Sequence, residues 1–290
     1  MIRLDLSRLL SSLLVGLMCT VATNIGAQQI APVAVIRLDP YQDNPDFPTI
    51  HASVNGHNGT FAFDSGEGMS MVTPNFAKTI GCTPWGQVTG FRMNGERIDT
   101  PRCDGVVFDV AGQHYAVPSA IVFDFMKFFK PDQPRLDGSL GLDLFAGRAV
   151  TLELSGRKIV VESPGSLADR VAKGTEVPIR IVRDAQGLAL TVDVGVPTPD
   201  GLAWMELDSG GGSSIIIGKH IASLFKLDPE SKGMQRVSFT LAGKIPVDAP
   251  ARVMDQMIMD GNLNMPFLKQ WDVTLDFATG RAWVTKATAE

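Results

Sequence analysis

Cysteine is scarce in this chain of 290 residues: there are three, at positions 19, 82 and 103. Histidine is nearly as rare, and His51, His57, His114 and His220 stand far apart. So few cysteines and such scattered histidines lack the spacing of a zinc site, so no metal is expected and the histidines read as structural or surface residues. Basic residues form no run after the first ten positions, and the net charge of −5 with a pI near 5.4 excludes nucleic acid as a partner. Long apolar runs are missing as well, except for one at the N-terminus.

That run spans residues 9–21, behind Arg3 and Arg8, and is broken only by Ser11, Ser12, Gly16 and Thr20. It is short for a membrane span and fits the apolar region of a secretory signal over residues 1–27. Cleavage is expected after Ile25-Gly26-Ala27, with Ala22 as a second candidate; an uncleaved anchor is the alternative. Met18 before Cys19 argues against lipid attachment. The expected location is periplasmic or secreted, with no stable membrane insertion after signal removal. Export would leave Cys82 and Cys103 as an even pair in an oxidising compartment. A bridge there would close a loop of about 20 residues, worth roughly 3 kcal/mol in the chain-entropy model. Two buried free thiols are the alternative.

What the sequence does have is short apolar runs of period two, separated by glycine and proline turns. Residues 49–54 and 60–63 flank Asn55-Gly56-His57-Asn58-Gly59, and Asn94-Gly95 marks another hairpin. Short helices are expected at 74–80 and 219–225. Residues 164–176, with Pro164, Gly165 and Gly174, read as a linker with one helical turn.

The chain also repeats itself. Asp137-Gly138-Ser139-Leu140 returns as Asp260-Gly261-Asn262-Leu263, and Val150-Thr151-Leu152-Glu153-Leu154 as Val273-Thr274-Leu275-Asp276-Phe277. Upstream, Phe61-Ala62-Phe63-Asp64-Ser65-Gly66 returns as Met205-Glu206-Leu207-Asp208-Ser209-Gly210. A single Asp-Ser-Gly is an ordinary turn, but two in matching places carry information. If the halves pack about a pseudo-two-fold axis, Asp64 and Asp208 face each other. Two close carboxylates share a proton and their pKa values split. The ionised member can then deprotonate a water while the protonated one polarises a carbonyl, with no metal, cofactor or covalent intermediate.

Together with Met71-Val72-Thr73-Pro74 and Asp137-Gly138-Ser139-Leu140-Gly141-Leu142, the first Asp-Ser-Gly run resembles the retropepsin-like aspartic proteases of bacteria. The retroviral proteases share that fold, and pepsin carries it twice. The resemblance covers residues 33–162 and 177–285. It implies a mostly β fold of two retropepsin-like lobes related by pseudo-two-fold symmetry: a signal peptide at 1–27, an N-terminal lobe at 28–163, the linker, and a C-terminal lobe at 177–290. It implies Asp64 and Asp208 as the catalytic pair, with Ser65, Gly66, Ser209 and Gly210 supporting them. A flap is implied at 86–99, with Phe91, Asn94 and Gly95 near the substrate. Positions 208 to 261 span only 53 residues, against 74 from 64 to 138, so the second lobe has no room for a flap.

The sequence departs from the family pattern in places. Serine replaces threonine after both aspartates, and Gly68 and Gly212 stand where a polar residue often holds the carboxylate, a role left to Ser70 and Ser214. Asn264 stands where the first unit has Gly141, and Glu67 is placed to add negative charge near the pair. The function implied is an exported aspartic endopeptidase, monomeric because one chain supplies both aspartates, acting on a polypeptide substrate. The alternative is a catalytically inactive periplasmic peptide-binding or scaffolding protein. Phe123, Phe125, Phe128 and Phe129 with Met126 read as a buried corner, or else as a cleft lining or membrane-facing patch. Met254, Met257 and Met259 read as core. Glu153 and Asp276 read as surface carboxylates, and Asp137 and Asp260 as turn formers.

Overall fold

The computed structural model describes residues 31–42 and 44–288. The expected signal peptide lies outside the described residues. Among the described residues no helix is long and apolar enough to cross a membrane.

The fold is mostly β, and its sheets follow from the repeat. In the first lobe, strand His57–Phe63 lies parallel to the short strand Gly138–Leu140, which pairs antiparallel with Met71–Val72; that strand in turn lies parallel to Gln113–Val122. The second lobe repeats this order with Gly201–Leu207, Gly261–Leu263, Ile215–Gly218 and Ile245–Met254. The central short strands must begin with glycine. A Cβ on Gly138 would sit 2.1 Å from the Met71 carbonyl oxygen, and one on Gly261 would sit 2.6 Å from that of Ile216. The preceding aspartates hold the crossing: Asp137 Oδ2 accepts from Thr60 N–H at 2.9 Å, and Asp260 Oδ2 from Trp204 N–H at 2.8 Å.

A six-stranded sheet joins the lobes, in the order Ala34–Arg37, Lys158–Val161, Ala149–Glu153, Trp271–Asp276, Arg281–Lys286, Thr175–Val177. In its centre Thr151 pairs with Thr274, its own counterpart in the repeat, and their hydroxyls are 2.9 Å apart. A position that pairs with its own equivalent lies on the pseudo-two-fold axis.

Two expectations fail at this sheet. Glu153 and Asp276 are buried, at 7% and 8% exposure. Alternation put them outside, but this sheet is covered on both faces, which removes the polar side that period two presumes. The stretch after residue 163 is a ten-residue helix, Pro164–Lys173, rather than a linker with a single turn. Pro164 opens it, Ser163 and Ser166 form a reciprocal cap, and Gly174 ends it. Its Arg170 reaches down to Glu153 and donates to Glu162 Oε1 at 3.0 Å.

The helix expected at 74–80 is Pro74–Thr79, with Thr73 Oγ1 accepting from Phe76 N–H at 3.2 Å. The one expected at 219–225 is a 3₁₀ helix, Lys219–Phe225. Cys82 and Cys103 form a disulfide, Cα to Cα 6.1 Å, tying the region after helix Pro74–Thr79 to strand Arg97–Val110. Phe125 and Phe129 are packed with Tyr41 and Phe47 around Met126, while Phe128 is exposed and Phe123 half-buried. Met257 is buried and Met254 and Met259 are half-buried; all four histidines are exposed.

Arg170→Leu should leave Glu153 and Glu162 facing each other without their shared cation. The expected loss is about 3 kcal/mol, read as a lower urea midpoint at unchanged slope.

Candidate functional site

Each Asp-Ser-Gly loop leaves the end of a strand whose last residues are fully buried. The two loops meet and exchange hydrogen bonds. Ser65 N–H donates to Ser209 Oγ at 2.9 Å, and Ser209 N–H donates to Ser65 Oγ at 2.9 Å. The hydroxyls go on to the carbonyls preceding the opposite aspartate, Ser65 to Leu207 at 2.6 Å and Ser209 to Phe63 at 3.3 Å. Both serines are completely buried. Serine suffices here because only the hydroxyl and the backbone N–H are used.

This exchange sets Asp64 and Asp208 together, each carboxyl group against the glycine of the other loop and near enough for the charge of Asp208 to act on Asp64. The glycines let them approach. A Cβ on Gly66 would sit 2.9 Å from Asp208 Cγ, and one on Gly210 would sit 2.2 Å from Asp64 Oδ2. Asp64 Oδ1 accepts from the N–H of Gly66 at 2.9 Å and of Gly210 at 3.2 Å. Loss of hydration and the charge of Asp208 push the Asp64 carboxyl up to about 7. Burial also raises Asp208, but Asn262 Nδ2 donates to its Oδ2 and works against that rise.

Other carboxyls crowd the pair. Burial and then Asp64 hold Glu67 well above the usual range. Glu67 thus stands close enough to Asp64 for their charges to oppose each other. Burial and the charges of Asp208 and Asp64 do the same to Glu206.

The two loops are braced by different chemistry. Ser70 does not reach Asp64; its Oγ donates to Asp143 Oδ1 at 2.7 Å and accepts from Gly141 N–H at 3.1 Å. Asp143 Oδ2 also accepts from Ser70 N–H at 2.8 Å, and burial raises Asp143 to about 6. In the second lobe Pro266 stands at the position of Asp143, so Ser214 has no such partner there. The second loop is held by Asn264, whose Nδ2 donates to the Gly211 carbonyl at 2.7 Å, and by Asn262 on Asp208. The side chain that contacts an aspartate is thus Asn262, and neither serine takes that part. In the sequence Asn264 stands out only as a departure, and Asn262 only as the counterpart of Ser139 in the repeat. Gly68 is occupied in another way: its carbonyl accepts from Leu190 N–H at 2.8 Å, and a Cβ on it would be 3.2 Å from Ala189 Cβ.

The hairpin of strands Trp85–Phe91 and Arg97–Val110 spans the lobes. At its tip Asn94 Oδ1 accepts from Glu96 N–H at 3.1 Å. Ile258 N–H of the second lobe donates to the Met93 carbonyl at 3.0 Å, and a Cβ on Gly95 would meet Ile258 Cγ2 at 3.0 Å. On the other side the Arg92 guanidinium lies 4.8 Å over the Phe128 ring. Phe91 is 64% exposed, so the approach to the second lobe is made by Met93 and Gly95, while Arg92 packs within the first lobe. A cavity of about 430 Å³ lies elsewhere on the first lobe, lined by His51, Ser53, Asn58 and Asp109 among others; neither Asp64 nor Asp208 borders it.

Residues 50–144 match the aspartyl protease family. That stretch holds Asp64, the hairpin and Asp143. No curated protein matches the chain. Among solved structures, the basic 7S globulin from soybean is 10% identical with a TM-score of 0.54, over 88% of this chain and 95% of that one. The likeness extends over both lobes, and the fold is the pepsin-like bilobal β fold of the aspartyl proteases.

Two outcomes are expected. Ser65→Ala strands the Ser209 N–H and the Leu207 carbonyl in a buried place, at a cost of about 2–3 kcal/mol in urea unfolding. Asp64, Asp143 and Asp272 have folded pKa values of about 7, 6 and 6, all above their unfolded values. The folded state therefore holds more protons between about pH 4 and 7, and stability falls as pH rises through that window. Unfolding free energy at pH 5 should exceed that at pH 7.5 by on the order of 5 kcal/mol; equal values would contradict the raised carboxyls.

Proposed function

We propose that this chain is an aspartic endopeptidase in which Asp64 and Asp208 activate a water for attack on a peptide bond. The observation that carries this reading is the meeting of the two carboxyl groups at the crossed serine bonds, with Asp64 pushed up to about 7. A pair that shares one proton holds an acid and a base together, which is what water addition to an amide requires. The water oxygen attacks the carbonyl carbon, one carboxylate takes the water proton, and the partner carboxyl gives its proton to the carbonyl oxygen. When the resulting diol collapses, the C–N bond breaks and the first carboxyl protonates the leaving nitrogen. The second carboxylate recovers a proton from the hydroxyl.

The Trp85–Phe91 and Arg97–Val110 hairpin acts as the flap over the substrate, and its tip must part from Ile258 to admit a chain. We read the substrate as a polypeptide in extended form and the working unit as a monomer. The Cys82–Cys103 bridge supports an oxidising compartment, periplasmic or extracellular, in keeping with the N-terminal reading.

The test is cleavage of an unfolded polypeptide from about pH 3 to 8, read by mass spectrometry. The protein should cut, and Asp64→Asn and Asp208→Asn should each lower the rate by at least about 10³-fold while circular dichroism stays unchanged. Cuts that survive both substitutions would reject the aspartic mechanism. An absence of cuts at every pH would favour a peptide-holding protein.

A further inference from the structure

Asn262 and Ser139 occupy matching places on the two short central strands, paired with Glu206 and Ala62 respectively. Only Asn262 reaches an aspartate: its Nδ2 donates to Asp208 Oδ2, and the residue is completely buried. Ser139 Oγ is buried and makes no hydrogen bond to Asp64; it lies beside Glu67 instead. Resting on the peptidase reading, we propose that Asn262 is a positioning residue that keeps the negative charge of the pair on Asp208 and so leaves the shared proton on Asp64.

The backbone donors lie on the other side, where Asp64 accepts from Gly66 N–H at 2.9 Å and Gly210 N–H at 3.2 Å. Asn262 is the counterweight: a side-chain donor on Asp208 that Asp64 does not have. An ionised carboxylate is acceptor-only and suits an amide N–H, whereas a protonated Asp208 would weaken that bond.

The charged surroundings do not reverse the preference. Glu206 and, behind it, Asp193 with its cation Arg180 face the pair from the second lobe, while Glu67 faces Asp64 from the first, with Asp143 behind it. Glu206 and Glu67 are both held toward their neutral forms. Asn262 Oδ1 is buried without a partner, a cost the fold tolerates with the amide turned toward Asp208. In the reaction this makes Asp208 the base that takes the water proton and Asp64 the acid that gives its proton to the carbonyl oxygen.

The test is a carboxyl ¹³C titration of aspartate-labelled protein, with the two signals assigned from Asp64→Asn and Asp208→Asn. Asp208 should move at lower pH than Asp64. In Asn262→Ser, which installs the first lobe's residue type, the Asp208 midpoint should rise by about 1–2 pH units, as expected for a lost charge-assisted bond. The acid limb of the cleavage profile should rise with it. Repeating the substitution on Asp64→Asn lets Asp208 titrate alone, free of coupling to its partner. An Asp64 signal that moves first in the unaltered protein, or an Asp208 midpoint untouched by Asn262→Ser, would overturn the assignment. If Asn262→Ser does not fold, the order of the two signals in the unaltered protein decides alone. Because the titration needs no turnover, an inactive protein with the expected order would reject the peptidase reading and leave this one standing. An active protein with the reverse order would do the opposite.

Discussion

Ser65 and Ser209 lie 144 positions apart, yet each donates its backbone N–H to the hydroxyl of the other. Each hydroxyl then binds the carbonyl just before the opposite aspartate. The four bonds are buried, so loosening one loop exposes polar groups on both. With both serines fixed, the aspartates preceding them cannot diverge, and each carboxyl comes to rest on the other loop's glycine. Two like charges are thereby forced together at the centre of the molecule. The electrostatics of the site follow from that placement.

Such crowding is costly, and the cost appears as carboxyl groups held toward their neutral forms. Asp64, Glu67, Asp143 and Glu206 all lie close to the pair or to its braces, and burial is the largest cause of every one of their upward shifts. Only Asp208 has a side-chain amide directed at it. Away from the pair, the joining sheet handles buried carboxylates by another route. Arg170 descends from helix Pro164–Lys173 onto Glu153 and Glu162 and anchors the connection between the lobes to the sheet on their axis. The connection is therefore part of the rigid frame that keeps the two loops in register.

Much of this was legible in the residues. The repeated Asp-Gly and Val-Thr-Leu runs located the crossing strands and the axis, since Thr151 and Thr274 are equivalent in sequence before they are partners in space. The aspartates and their serines were legible as a pair because each loop matched the other. The exchange of bonds between the serines was not, because it depends on how the loops meet across the axis. Proximity in sequence directs Ser70 and Ser214 to the aspartates, but Asp143, 73 residues from Ser70, takes Ser70. Glu153 and Asp276 misled for a different reason: alternation shows which side of a strand is polar only when one face of its sheet meets water.

The differences between the lobes are concentrated in the braces. Glu67 stands against Gly211, Ser139 against Asn262, Gly141 against Asn264 and Asp143 against Pro266, while the serines and their glycines are the same on both sides. A carboxylate brace suits the first loop, where Asp143 can accept from both Ser70 N–H and Ser70 Oγ without touching Asp64. Its equivalent in the second loop would add another acid near Asp208 and Glu206. Amide braces there hold Gly211 and Asp208 while adding no charge. The lobes thus keep a common frame, needed to bring the aspartates together, and differ in the residues that make the two aspartates unequal.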